Sequence, residues 1–361
     1  MDGKTLVSLL FALLPTAAFA QGKPSADVTL DDEAPVVTLL PQRHFPKTIP
    51  AGNYSGIAWL GGDRYAVVSD KSVEDGFFVF QIEVDSLTGE VRDARNLGFR
   101  SSGFPGRDDE GICFVPRAES IGGDEQWGTI FISGEDDNAI REYTFKGQCT
   151  GRVLPLPSCY NSLPANLGLE ALSYNSLTKT LWTCNESGDV YIHGWRLIDA
   201  KDSLNVEDTA SAFMDVGTWL YQLDAPLHDQ RKALMYAHGI GTVCALDDGS
   251  LLVLEREAYV PKKKLGASVT CKLFRVTPYL YNGARTGIIR DKQLLASWKT
   301  SLTLTSRSLA NYEGMCLGPQ LQDGSGVLVL VADSQDQYRG VLRDWIKTIR
   351  IFPPNALSNK K

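Results

Sequence analysis

Apolar positions in this chain come in short runs, each closed by glycine, aspartate or asparagine. "RYAVVSD" begins at Arg64, "FFVFQIEVD" at Phe77, "GTIFISGED" at Gly128, "KTLWTCNES" at Lys179, "SLLVLERE" at Ser250 and "GVLVLVADS" at Gly326. Val, Ile, Phe, Trp and Thr dominate them, and the runs are too short for helices, so the pattern predicts β-strands. Helical periodicity is rare. Residues 203–234 read as a short helix or an irregular insertion, and the rest of the chain predicts an all-β fold.

Laid over one another, the runs repeat. "SGIAWLGGDRYAVVSD" starts at Ser55, "EGICFVP…WGTIFISGED" at Glu110, "EALSYNSLTKTLWTCNES" at Glu170, "TVCALDDGSLLVLERE" at Thr242 and "EGMCLGPQLQDGSGVLVLVADS" at Glu313. Each has a small or acidic start, an apolar strand, a polar turn, a second apolar strand and a polar or acidic end. The small residues at positions 56, 111, 171, 242 and 314 lie 55–72 residues apart. Repeated hairpins of this kind predict a β-propeller. A compact blade takes about 40–50 residues, which leaves room for six or seven blades, some carrying insertions or lacking the signature. A β-sandwich also alternates, but its strands would not share one acid-Gly-apolar start.

In a propeller the equivalent ends of inner strands converge on one mouth of a central channel. The starting acids are Glu110, Glu170 and Glu313, with Asp108 and Asp109 just before the first. The closing acids are Asp70, Glu135, Asp136, Glu186, Glu255, Glu257 and Asp333. So many carboxylates repel one another unless a cation, an arginine or protonation neutralises some of them. Ca²⁺, which takes six to eight oxygen ligands, is the expected cofactor. The plainer alternative is that each acid caps a turn and faces water.

These runs, in this order from Ser55 to Phe352, resemble the family described as esterase-like activity of phytase, the phytase-like β-propellers. The resemblance implies a secreted or periplasmic propeller that hydrolyses phosphate or carboxylic esters. The positions matching its motifs are Glu110, Glu135, Glu170, Glu186, Glu255, Arg256, Glu313 and Asp333. With Asp109 the acids among them form the expected metal set. Glu110, Glu313 and Glu170 are the expected catalytic acids, and Glu110 with Glu135 and Glu313 with Asp333 are acid–base pairs to test. His238, the only histidine beside a repeat, is a further acid or base. Arg256, Arg107 and Arg339 are expected to bind substrate; they and Arg141 serve equally as ion-pair partners of the acids. "KKK" at Lys262–Lys264 reads as a solvated loop.

No G-x-S-x-G pentapeptide marks a serine esterase, and His238-Gly239 lacks the arginine of a histidine phosphatase motif. Metal-assisted hydrolysis is what remains. The competing reading is a non-catalytic binding propeller whose acids hold structural calcium, with Trp59, Trp127 and Trp182 lining a groove or filling the core.

Charge and cysteines narrow this further. The net charge of −7 and pI near 5.3 argue against nucleic acid, which needs a basic face, and leave a small-molecule substrate as the expected partner. "MDGKTLVSLLFALLPTAAFAQG" has Lys4, an apolar stretch from Leu6 to Leu14, and Ala-Phe-Ala before Gln21. This predicts a signal peptide over residues 1–20, cleaved after Ala20, ahead of one domain over residues 21–361. The stretch is too short for a membrane helix, and no other segment predicts one. Export permits disulfides. Cys149 and Cys159, which flank a proline-containing loop, are the expected bridge, while Cys113 and Cys316 read as buried strand residues. The four histidines and seven cysteines show no zinc-ligand spacing.

Overall fold

The computed structural model describes residues 35–116, 128–163, 168–198, 212–263, 265–278, 286–337 and 342–352. The expected signal peptide, Trp127, Lys264 and Arg339 lie outside the described residues.

A four-residue strand, β1 (Val36–Leu39), comes first. β2 (Tyr54–Gly61), β3 (Arg64–Ser69), β4 (Glu74–Val84) and β5 (Val91–Pro105) make the first antiparallel sheet. β6 (Asp109–Pro116), β7 (Gly128–Gly134), β8 (Ala139–Thr144) and β9 (Cys149–Val153) make the second. The third holds β10 (Leu169–Asn175), β11 (Thr180–Asn185), β12 (Val190–Ile198) and β13 (Ala212–Tyr221), with β17 (Thr286–Ile289) added in parallel beside β13. β14 (Ala233–Ala245), β15 (Leu251–Pro261), β16 (Ala267–Val276) and β18 (Gln293–Leu302) make the fourth. β19 (Asn311–Leu317), β20 (Gly326–Asp333) and β21 (Ile346–Phe352) make the fifth, and β1 completes it by pairing antiparallel with β21.

The all-β expectation holds. The described residues form five sheets, not the six or seven expected from a compact blade. Each repeat spends its extra residues on longer strands, such as the 15-residue β5 and the 13-residue β14, and on the connections between sheets. Of residues 203–234, the described part contains β13, one 3₁₀ turn at Gln230–Lys232 and the first two residues of β14.

The first strands of the sheets touch in a cycle: β2 on β6, β6 on β10, β10 on β14, β14 on β19 and β19 on β2. The small residues of the repeat make this approach possible. A Cβ on Gly56 would sit 2.5 Å from the Glu110 carbonyl oxygen, and one on Gly111 would sit 2.5 Å from the Leu172 nitrogen. Two positions further on, Ala58, Cys113, Ser173, Cys244 and Cys316 are again small.

Five apolar clusters fill the spaces between successive sheets. Val68 and Val79 meet Ile112 and Ile130; Phe131 and Ile140 meet Leu172 and Leu181. Trp182 and Ile192 meet Val243 and Val253; Leu252 and Leu254 meet Leu328 and Leu330; Val327 and Val329 meet Val67 and Phe80. A strand with both faces buried cannot alternate with polar residues, which is why "GVLVLVAD" reads as an unbroken apolar run.

The expected Cys149–Cys159 bridge is not formed. Cys149 carries no disulfide; it packs on the cluster between the first and second sheets, whereas Cys159 packs on the one between the second and third. Cys113 is buried as expected, and Cys316 packs partly buried between the fifth sheet and the first. Among the described residues no helix is long and apolar enough to cross a membrane.

Candidate functional site

The register of every first strand slips at one repeat position. The pairing skips Ser55 in β2, Glu110 in β6, Glu170 in β10, Gly241 in β14 and Glu313 in β19. A β-bulge leaves one residue without a cross-strand partner and re-aims its side chain. Three of these five residues are glutamates. On the returning strands the equivalent position holds Asp70, Glu135, Glu186, Arg256 and Asp333. Two circles of side chains, one from the bulges and one from the returning strands, therefore meet at one end of the cycle.

The fourth sheet supplies the charge that the other four lack. Its bulge residue is Gly241, where a Cβ would sit 3.1 Å from the Arg256 Cδ, and its returning residue is Arg256 itself. The guanidinium pairs with Glu186 and Glu313, each at 3.0 Å, and with Glu170 at 3.3 Å. It also donates to the Asn311 Oδ1 at 3.0 Å, and Asn311 Nδ2 donates to Glu313 at 2.7 Å. Burial works against the charge of Arg256, and Glu313, Glu186 and Glu170 together hold it protonated.

On the opposite side of the mouth the acids are less well served. The carboxylate oxygens of Asp70, Asp108 and Glu110 lie within 4.8 Å of one another. Lys71, largely exposed, reaches Asp108 at 2.7 Å and Asp70 at 3.3 Å. The second oxygen of Asp70 is buried without a hydrogen-bond partner. Glu110 is only 9% exposed, and among the described residues no donor reaches its carboxylate. Burial, then the nearby Glu170, Glu313, Asp70 and Glu135, hold its pKa well above the usual carboxylate range. Burial, reinforced by Asp333, pushes Asp70 up to about 6. Glu170 is pushed up to about 8 by burial and by Glu186, against the pull of Arg256. Glu313, Glu135 and Asp333 are raised by burial as well. Glu135 accepts from the Gly168 nitrogen at 2.7 Å, and Asp333 from the Gln335 nitrogen at 2.7 Å.

Glu110, Glu135, Glu170, Glu186, Arg256, Glu313 and Asp333 are thus gathered at one mouth, as their repeat positions predict. Asp109 and Glu255 are not. Each is one residue out of phase, so its side chain leaves by the other face of its strand. Glu255 accepts from the Tyr221 hydroxyl at 2.8 Å and pairs with Lys292 at 2.5 Å. Asp109 joins a buried network around Arg107, which pairs with Asp137 at 2.8 Å, Asp109 at 3.4 Å and Asp75 at 3.5 Å. Burial pushes Asp109 up to about 8, with Arg107 opposing and Asp75 reinforcing the shift. Arg107 is therefore consumed by the protein rather than offered to a substrate. Glu257 staples the preceding connection, accepting from the Leu227 and His228 nitrogens at 2.7 and 2.8 Å. His238 stands opposite Glu257 on the extended hairpin of β14 and β15. The sequence pattern places Asp70 and Asp108 among the converging acids but not in the expected metal set, and it does not single out Lys71. Asp108 sits in the left-handed region at φ 56°, and nothing in "GRDDEG" shows that this turn brings it back beside Glu110.

The model of the phytase-like family, described as esterase-like activity of phytase, matches residues 49–335. No curated protein matches the chain. Among solved structures the chain is similar to a streptogramin B lyase, at 13% identity over 87% of this chain and 98% of that one, with a TM-score of 0.37. It is similar to an endo-arabinase from Bacteroides thetaiotaomicron at 14% identity, over 85% and 97%, with a TM-score of 0.39. The WD40 repeats of RRP9 match at 9% identity, over 88% and 99%, with a TM-score of 0.37.

Proposed function

The chain belongs to the phytase-like family, esterase-like activity of phytase, and on that premise we propose that it is a five-bladed propeller hydrolase that cleaves phosphate or carboxylic esters at its acidic mouth with the help of Ca²⁺. The observation that carries this reading is the triad of Asp70, Asp108 and Glu110, whose carboxylates converge within 4.8 Å with Glu110 buried and, among the described residues, without a donor. A donor set made wholly of carboxylate oxygens suits a hard cation, and the unserved oxygens of Glu110 and Asp70 fit one. Ca²⁺ held by these three residues would supply a Lewis acid for an ester or phosphoryl oxygen.

The chain's own residues supply the rest. Glu170, pushed up to about 8, keeps a proton at neutral pH and can pass it to a leaving oxygen. Arg256 fixes the positions of Glu170, Glu186 and Glu313. Among the described residues Lys71 is the exposed cation at the mouth, and it favours an anionic substrate over a neutral one. The N-terminal leader pattern supports export to the periplasm or beyond.

The experiment is hydrolysis of p-nitrophenyl phosphate and p-nitrophenyl acetate by purified protein, with EDTA and with Ca²⁺ added back. Activity that disappears in EDTA, returns with Ca²⁺ and is lost in Glu110→Gln and Glu313→Gln upholds the reading. A second reading, a binding propeller with structural calcium, is favoured by the commitment of Glu170, Glu186 and Glu313 to Arg256. Absence of hydrolysis together with a Ca²⁺-raised melting temperature would select it.

A further inference from the structure

The first strands begin at the acidic mouth and run away from it. Eight residues, the length of β2 and of β6, span about 25 Å at roughly 3.3 Å each. At their far ends lies a cavity of about 780 Å³ whose walls come from all five sheets. That volume falls in the range of small-molecule sites, about 300–1,000 Å³, and none of the acids of the candidate catalytic mouth lines it.

Its walls are not symmetric, although they come from a repeat. At one repeat position, three after Gly56 and its equivalents, stand Trp59, Phe114, Tyr174, Ala245 and Leu317, all lining the cavity. Three successive sheets thus contribute aromatic rings, and the remaining two contribute small or aliphatic side chains. Trp59, Phe114 and Tyr174 are only partly buried. The indole N–H of Trp59 donates to the Gly62 carbonyl at 3.0 Å, which fixes the ring while consuming its polar edge. The preceding repeat position is small in every sheet, and Trp59, Phe114 and Tyr174 each also pack toward a different space between sheets, fifth and first, first and second, and second and third.

Charge adds direction. Among the described residues lining the cavity, the charged ones are Asp247, Asp248 and Arg275. Arg275 pairs with Asp248 at 2.5 Å. Asp247, exposed, receives the neutral Asn175 amide at 2.7 Å and has no ion-pair partner among the described residues, which leaves a carboxylate beside an aromatic wall. Aromatic faces attract cations, and a lone carboxylate favours the same sign.

We propose that this second mouth is a binding site for a flat aromatic molecule carrying a positive charge, its ring against the cavity wall to which Trp59, Phe114 and Tyr174 contribute and its ammonium group at Asp247. The site is independent of the ester-hydrolysis reading, since the two mouths share no residue.

The test is calorimetric titration of the purified full chain with tryptamine, and with indole-3-acetate, which presents the same ring with the opposite charge. Tryptamine is expected to bind at least tenfold more tightly. Asp247→Asn should bring the two within about threefold, and Trp59→Leu should weaken tryptamine by about tenfold. Glu110→Gln and EDTA should leave the titration unchanged. The proposal is overturned by no saturable binding of tryptamine at millimolar concentration, by equal affinity for both probes, or by binding lost in Glu110→Gln and kept in Asp247→Asn. Asp247 is a rim residue outside the apolar clusters, so its variant remains informative if Trp59→Leu does not fold.

Discussion

Replacing a carboxylate by its amide usually weakens a buried polar network, but Glu110→Gln is expected to strengthen this protein when calcium is absent. At an effective dielectric constant of about 20, two like charges separated by 4.8 Å repel by about 3.5 kcal/mol. Glu110 faces two such partners, Asp70 and Asp108. Lys71, at 2.7 Å from Asp108 and 3.3 Å from Asp70, offsets part of the sum. Glu110 sheds a further part by taking up a proton, because its environment holds its pKa well above the ordinary value. A net gain of at most about 3.5 kcal/mol at pH 8 in EDTA, the repulsion of one unrelieved pair, remains as the expectation. Calcium should reverse the order. A ligand at a hundred times its dissociation constant stabilises the folded state by about 2.7 kcal/mol, and only the wild-type protein has the third carboxylate to bind it. Urea denaturation of both proteins at pH 8, with EDTA and with Ca²⁺, reads both effects in the transition midpoint. If Glu110→Gln unfolds earlier than wild type in EDTA, or gains as much as wild type from Ca²⁺, the acids are not in unrelieved conflict and the cation site is wrong.

The same mouth sets a pH dependence. Glu170 has an ordinary pKa of 4.5 and a folded value of about 8, so between these limits the folded state holds a proton that the unfolded chain has released. Its contribution is fully present below pH 4.5 and lost as pH rises through about 8, on the order of 5 kcal/mol for a group shifted this far; denaturation of the calcium-free protein at pH 5 and pH 8 should show the decline, and a rise would contradict it. Arg256→Met strands Glu170, Glu186 and Glu313, with an expected loss of about 3–5 kcal/mol at pH 8 that shrinks at pH 5, where Glu170, held at about 8, is protonated; an equal loss at both pH values would mean that packing, not charge, is what Arg256 provides. Gly56→Ala forces a methyl to 2.5 Å from a backbone oxygen and 2.8 Å from the Val68 side chain, with an expected loss of about 1–3 kcal/mol in the denaturation midpoint; an unchanged midpoint would mean the first strands are not held so close.

Strand positions and the convergence of acids were legible in the sequence, because a strand buried on both faces must be apolar throughout and its repeats must begin alike. The number of sheets was not, since a repeat spaced by 55–72 residues hides whether the surplus builds another sheet or lengthens the existing ones. Nor was the phase of each acid. In "LERE" the sequence places glutamates on both sides of an arginine, and only the bulge at Gly241 decides that Arg256 faces the mouth while Glu255 and Glu257 face away. The pairing of Arg256 with Glu170, 86 residues earlier in the chain, had no local signal of any kind. For the cysteines, a separation of ten residues suggested a bridge, but which inter-sheet space each thiol enters is settled by packing.

The fifth sheet is the one sheet that the chain cannot finish when it reaches it. Its outer strand, Val36–Leu39, precedes every other strand, and its partner, Ile346–Phe352, follows them all. The structure is therefore a loop of sheets with a single seam, fastened by the four residues of β1 and by the bridges of Arg43 to Ile346 and Asn53 to Asp333. Any register change or trimming at either terminus acts on the whole circumference, because the mouth keeps its acids in place only while the circle is shut. Closing ends more than 300 residues apart carries an entropic cost that grows only slowly with length, and it is met here by a short strand and two bridges. Partial opening should start there, with the first and fifth sheets parting while the sheets opposite the seam stay folded. In such a state Glu313 and Asp333 would leave the mouth before Glu110 and Glu170 part from each other.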